Sequence, residues 1–295
     1  MQLLQERDFG QKVNAVFEFL KLNFVPLMTA MLYITGPVAI IAGMALGVYQ
    51  SSMLSVLGSV ETPSGGNPFL GNIFSTLTPA YFIYIFLFVI ASVFASLTVY
   101  GYVLEYEERG GNVPIITPLD VWGRVKENIL SYIGYSILLF IIIIFALCFL
   151  IIPGVYVSVP LSLIYMVLMR EKLGFSQAMS RCFYLIKDKW WSTFGLIVIM
   201  SVIQAIVAYI FQIPTLIFYV LKMLHILESG STIVSTISGV IATIGGILVS
   251  SILNLAIVFQ YYNLLERHEG LGIMNAIGSI GSVQAPRTDL REEEF

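Results

Sequence analysis

Few side chains in this sequence are both polar enough and grouped closely enough to do chemistry. Gln204, Asn254 and Gln260 interrupt otherwise apolar stretches; with Ser250 they could bond neighbouring helices together or line a polar path. Arg181, Lys187 and Lys189 stand beside Trp190 and Trp191, cations and amphipathic indoles suited to a lipid headgroup or a partner protein. His225 and His268, the only histidines, are expected on opposite sides of a membrane and so cannot share a metal ion. Cys148 and Cys182 have no CxxC spacing and no histidine beside them, and read as small apolar fillers. No phosphate-cradling glycine loop or nucleophile elbow occurs. The expectation is a protein without a catalytic site, metal or cofactor.

The elements that must position these residues are membrane helices. A hydrophobic fraction of 58%, 11% charged residues and a mean hydropathy of +0.88 lie outside the range of a soluble domain. A bilayer core needs about 20 apolar residues per helix. The pattern predicts an all-α integral membrane domain over 1–265 with six spans, near 25–49, 79–104, 130–152, 155–170, 193–213 and 232–262. From Leu130 to Met169 there are 40 residues without a charge. As one helix they would reach roughly 60 Å, so Pro153-Gly154 is expected to break them into a hairpin, with Pro160 kinking the return. Pro214 is expected to kink or end the fifth span, and the sequence leaves 214–228 open between helix and interface. Charges within the first twenty residues argue against a cleavable signal. The tail from 266 to 295 reads as cytoplasmic and partly disordered.

Three amphipathic segments, near 9–24, 119–129 and 175–191, precede spans. In the first, Phe9, Val13, Val16, Phe17, Leu20 and Phe24 share a face, with Gln11, Lys12, Glu18 and Lys21 mostly opposite. Adding 166 to those apolar positions gives Phe175, Met179, Cys182, Phe183, Ile186 and Trp190, all apolar. An offset of 113 reaches the middle segment with one polar exception, Lys126. This predicts three units, each an interfacial helix followed by a membrane hairpin.

Small residues form two stripes at four-residue spacing. Thr35, Ala39, Gly43 and Gly47 are predicted to pack against Ser238, Ala242, Gly246, Ser250 and Asn254, and Gly246→Leu is expected to cripple folding. With six spans, 14 of the 15 basic residues fall on the side of the N-terminus, leaving Lys222 opposite. The positive-inside rule then places both termini in the cytoplasm. All 33 charged residues lie outside or at the ends of the expected spans, which argues against a proton relay or a carboxylate site for sodium. A net charge of -3 and dispersed basic residues make nucleic acid an unsuitable partner.

Ile152-Pro153-Gly154, a short helix, then Leu173-Gly174, Ala178, Ser180, Leu185 and Trp190 follow one another in an order that resembles a known group. It is the membrane domain found beside some bacterial glycerophosphodiester phosphodiesterases, together with its stand-alone multi-pass relatives. The resemblance covers about 130–265 and implies a fold and a membrane placement. The family's phosphodiesterase activity belongs to a separate soluble barrel, which has no counterpart in this sequence, so no catalytic residue carries over. The expected role is that of a structural or accessory protein of a bacterial inner membrane. It would bind membrane lipids or another membrane protein through its cytoplasmic interfacial helices. The alternative is a permease for an apolar or lipid-like solute, without ion coupling, along Asn254, Gln204 and Gln260.

Overall fold

The structure, a computed structural model, describes residues 2–58, 79–110, 116–127, 129–149, 151–224, 232–270, 272 and 274. His225, the side chain of Cys148, the turn-rich loop before the second span and the tail from 275 lie outside the described residues. The described chain is helical, without strands. Helix α1 (Phe9–Leu22) starts at Asp8, whose carboxylate accepts the Gln11 N–H while the Gln11 side chain returns to the Asp8 N–H. The two bonds satisfy backbone groups that a helix start otherwise leaves orphaned. The chain turns through 79° at Asn23 into α2 (Phe24–Ile34), breaks at Thr35, and continues as α3 (Gly36–Gly58). Then come α4 (Pro79–Glu108), α5 (Pro118–Lys126), α6 (Ile129–Phe149), α7 (Ile151–Leu161) and α8 (Ile164–Glu171). After α9 (Phe175–Ile186) follow α10 (Trp190–Met223), α11 (Thr232–Val249) and α12 (Ser251–Glu269).

Pro79–Glu108, Ile152–Glu171, Trp190–Lys222 and Thr232–Glu269 are long and apolar enough to cross a membrane. Two bent pairs, Phe9–Leu22 with Phe24–Ile34 and Pro118–Lys126 with Ile129–Phe145, would bring the number to six. Helix α10 passes through Pro214 without a break, so the fifth expected span extends ten residues past 213, to Met223.

The hairpin also differs from expectation. Helix α6 ends at Phe149 and α7 begins at Ile151, ahead of Pro153, which sits in the first turn of α7 where a missing N–H leaves no bond unmade. The Tyr165 hydroxyl bonds Ser136 Oγ at 2.7 Å, joining the two arms. Along the return arm, Tyr156 meets Trp190, Ser162 and Leu163 lie beside Thr193 and Leu196, and Arg170 meets Glu107. All of these partners belong to the charged end of the bundle, so the arm crosses α10 near that end.

Helices α3 and α11 approach through glycine. A Cβ on Gly43 would lie 2.5 Å from the Val240 Cα, one on Gly239 would lie 2.6 Å from the Gly43 carbonyl oxygen, and one on Gly47 would strike the Thr236 backbone. The Gly43 and Gly47 face therefore packs where the sequence places it, but its partner is Ser235, Thr236, Gly239 and Val240. Gly246 has open space around its Cβ direction. The expectation that Gly246→Leu cripples folding is corrected: the close contacts on α11 belong to Gly239, and to Gly245, whose Cβ would run into the Phe211 ring.

Helix α9 begins 166 residues after α1, and α10 begins 166 after α2. The turns between them match: Asn23 has φ -115° and ψ 19°, and Lys189 has φ -127° and ψ 16°. The buried positions match as well, with Lys12, Val16 and Phe19 in α1 against Ala178, Cys182 and Leu185 in α9. In α9 the buried face includes Cys182 and Ile186 of the expected apolar stripe, with Phe175, Met179 and Trp190 packed against the core, whereas in α1 only Val16 of that stripe is fully buried. Phe9, Phe17 and Phe24 are exposed and Lys12 is buried. In a bilayer the phenyl rings can face lipid, so the apolar stripe need not be the face that meets protein. Helix α5 starts at Pro118 and α6 at Ile129, not where the 113 offset would place them.

Candidate functional site

The lysine–tryptophan corner is made by the turn from α9 into α10. Asp188 adopts the left-handed conformation with φ 65°, which lets a three-residue link turn the chain from α9 into α10. Trp190 opens α10 and donates its indole N–H to the Tyr156 carbonyl at 3.0 Å. That carbonyl would ordinarily accept from residue 160, which is proline and has no N–H. Trp190 thus repairs a bond that Pro160 removes. Its ring stacks between Tyr156, at 5.5 Å, and Phe194, at 5.1 Å. Trp191 stands edge-on to Trp190 and is 78% exposed. With Ile152, Val155 and Phe194 these rings line an apolar groove of about 410 Å³.

The cations at this corner are not equivalent. Lys187 is exposed and Lys189 half-buried, and among the described residues neither is paired with a carboxylate. Arg181 is bound at 2.9 Å to Glu171, pairs also with Glu269, and lies over the Tyr184 ring. Burial would lower its pKa, but the bonds and charges of Glu269 and Glu171 raise it above the ordinary value. Arg181 is therefore committed within the protein, and the free corner reduces to Lys187, Lys189 and Trp191.

Behind the corner lies a layer of internal pairs that the sequence does not announce. The Arg170 guanidinium binds Glu107 at 2.8 and 3.2 Å and sits against the rings of Tyr261 and Tyr262. The Tyr262 hydroxyl donates to Glu107 at 2.5 Å, and that of Tyr261 to Glu171 at 2.7 Å. Glu105 holds Arg109 at 2.8 Å and Arg124 at 2.5 Å. His268 stays exposed while it packs on Tyr184, with Nε2 3.2 Å from the Leu185 carbonyl oxygen. The Cys182 thiol is buried and its pKa is pushed up to about 12, chiefly by that burial, which makes it an inert filler.

Lys12, 3% exposed, donates to Gln260 Oε1 at 2.9 Å and to Ser192 Oγ at 3.2 Å. Gln260 in turn donates to Thr193 Oγ1 at 2.7 Å. The space beside Gln260, Thr193 and Ala256 holds no water-sized volume. Asn254 Oδ1 accepts from the Tyr100 hydroxyl at 3.2 Å, and the Ser250 hydroxyl bonds the Ile247 carbonyl of its own helix. Among the described residues the Gln204 Oε1 is buried and without a partner. No hydrogen bond among the described residues therefore joins Gln204, Asn254 and Gln260 to one another. Gly43 and Gly47 serve the α3 contact, and Gly246 serves none.

A larger cleft, about 770 Å³, opens between α4, α5, the start of α6 and the end of α8. No sequence pattern pointed to it, because its walls come from four separate stretches. Among the described residues, no group of three or more His, Cys, Asp or Glu is placed to hold a metal ion.

Compared with known proteins, the chain matches no family model, no curated protein and no solved structure. The resemblance to the membrane domain beside glycerophosphodiester phosphodiesterases rests on Ile152-Pro153-Gly154 and the residues after it alone.

Proposed function

We propose that the chain is a non-enzymatic, multi-pass accessory protein of a bacterial inner membrane, with both termini cytoplasmic. It acts there by holding lipid headgroups at the turn from α9 into α10. The observation that carries this reading is the division of labour at that turn. Arg181 and Trp190 are consumed by internal contacts, whereas Lys187, Lys189 and the exposed Trp191 are left beside an apolar groove. Unpaired cations next to an apolar slot suit a headgroup above and an acyl chain below. In this reading α2–α3, α4, α10 and α11–α12 cross the bilayer, α1, α5 and α9 lie at its cytoplasmic surface, and the α6–α8 hairpin stays in the cytoplasmic leaflet. The basic residues keep their side, since removing two crossings leaves an even number. The matched turns at Asn23 and Lys189 support a repeat of the first and last units.

The test is lipid retention by the purified full chain, measured by native mass spectrometry in phosphatidylglycerol. The triple variant Lys187→Ala, Lys189→Ala, Trp191→Ala is expected to retain less lipid with an unchanged melting temperature; equal retention would sink the reading. A permease for an apolar solute is the second reading. It is favoured by the buried side-chain oxygens that have no partner among the described residues, on Gln50 of α3, Gln204 and Thr215 of α10, and Thr243 of α11. Flux of a labelled lipid across proteoliposomes, abolished by Gln204→Leu, would support it over the first.

A further inference from the structure

We infer that the cleft between α4, α5, α6 and α8 is a second site, one that takes the phosphate-bearing headgroup of a single anionic membrane lipid. Its volume of about 770 Å³ falls in the range of small-molecule sites. The floor is apolar, with Leu104, Leu168, Met169 and Tyr132 all buried. The rim is charged, and the charges are not alike. Glu105 and Asp120 are already held by Arg109 and Arg124. Lys126 and Lys172 are exposed, and among the described residues neither has a carboxylate partner. Arg109 and Arg124 face three acids, Glu105, Glu108 and Asp120, so the paired cluster keeps one negative charge in excess; Lys126 and Lys172 outnumber the exposed Glu127 and are, among the described residues, the rim cations left to meet an anion.

Two further features point to a ligand. Lys172 closes α8 in the left-handed conformation, φ 52° and ψ 35°, where glycine is the usual residue. Strained backbone of this kind collects at sites that need a particular side chain in place. Gly123 lines the cleft, and a Cβ there would meet nothing, so the space beside it is open. The cleft also stands where the polar helix α5 bends by 66° into the apolar α6. Its rim therefore lies at headgroup depth, while Leu130 and Ile137 are exposed for the acyl chains. The inference rests on the proposed cytoplasmic surface placement of α5, but uses none of the residues at the α9–α10 turn.

The experiment titrates the full chain in neutral detergent with three probes: phosphatidylglycerol, diacylglycerol with the same chains, and inorganic phosphate. One tightly held phosphatidylglycerol per chain is expected, diacylglycerol is not retained, and inorganic phosphate competes only at high concentration. The double variant Lys126→Gln, Lys172→Gln should weaken that one lipid by about tenfold or more, since each surface lysine contributes about 1 kcal/mol toward an anionic headgroup. Gly123→Leu, which fills the cleft without touching a charge, should do the same. Unchanged phosphatidylglycerol binding by both variants overturns the inference, and saturation by inorganic phosphate with no lipid held would overturn the lipid as occupant. The triple variant at Lys187, Lys189 and Trp191 should leave this one lipid in place. Loss at that variant alone would support the corner and overturn the cleft.

Discussion

The two ends of this molecule are held together by opposite means. Where α3 and α11 cross, glycine lets backbones touch, and side chains contribute little beyond getting out of the way. At the charged end, α1, α8 and α9 are fixed to the ends of α4 and α12 through Glu107, Arg170, Glu171, Arg181 and Lys12, each satisfied by a named partner. The difference reflects the solvent. Lipid offers no hydrophobic drive for helices to associate, so close van der Waals contact and occasional hydrogen bonds must supply it. At a surface reached by water, apolar burial and ion pairing both operate, and the pairs set which helix goes where.

If that contrast is right, the largest effect of any single substitution belongs to the glycine crossing. Gly43→Leu or Gly239→Leu must push two backbones apart, with an expected loss of roughly 3 kcal/mol or more from overpacking. Gly246→Leu should leave the melting temperature nearly unchanged, because a Cβ there meets no atom within 4 Å. Thermal unfolding of the three variants in one detergent checks this, and equal behaviour would erase the distinction between the two α11 faces.

Next in size is the ion cluster. Arg170→Met removes the partner of Glu107 and the cation that Tyr261 and Tyr262 enclose. Breaking a fully buried pair costs about 3–5 kcal/mol; this one is partly solvated, with side chains 20% and 27% exposed, so about 2 kcal/mol is expected. The double variant Arg170→Met, Glu107→Leu should recover part of that loss. If the single variant is neutral, the charged end is held by apolar burial alone.

The contrast also explains what was legible in the sequence. Composition and run length disclosed the helices, and Gly43 with Gly47 disclosed one side of the closest crossing. Its other side was ambiguous, since Ser235, Gly239 and Thr243 are spaced four apart as evenly as Ser238, Ala242 and Gly246. Only the partner helix chooses between such stripes. The charged layer was less legible still, because its bonds join residues as distant as Glu107 with Arg170 and Arg181 with Glu269. Lys12 was misplaced for a related reason. Amphipathicity marks which face is apolar, but with lipid available the apolar face is not always the one that meets protein. The Lys–Trp–Trp corner was found as a group, yet its members had to be separated by partners no spacing shows, Tyr156 and Glu269.

A smaller effect is expected where a membrane-type defect is repaired at the charged end. Trp190→Phe keeps the stack with Tyr156 and Phe194 but removes the Tyr156 carbonyl's side-chain donor among the described residues, at a cost of about 1 kcal/mol. Restoring the helix's own donor by Pro160→Ala should offset that loss, provided the arm tolerates the straighter helix. Additive losses in the double variant would mean that the indole N–H does not serve the gap left by proline.

The smallest effect is a slope with pH at Lys12, and it tests whether a buried cation can persist at the charged end without a carboxylate. In the proposed reading helix α1 lies outside the spanning segments, and burial pushes the Lys12 pKa below its ordinary value, with Arg267 and Lys189 adding to that push and Asp8 opposing it. The folded protein therefore holds this proton less tightly than the unfolded chain does. Below the depressed folded value both states are protonated and the charged form bears its full penalty. Between that value and the unfolded value of about 10.4 the unfolded chain binds more protons, so stability rises with pH. Against a Lys12→Met variant, which removes the titration but keeps an apolar stem, the wild-type chain should gain in relative melting temperature as pH is raised toward 10. A difference that stays flat, or moves in favour of the variant, would show that Gln260 and Ser192 solvate the ammonium as well as water does. The charged end would then tolerate an unpaired cation as readily as it does the paired Arg170.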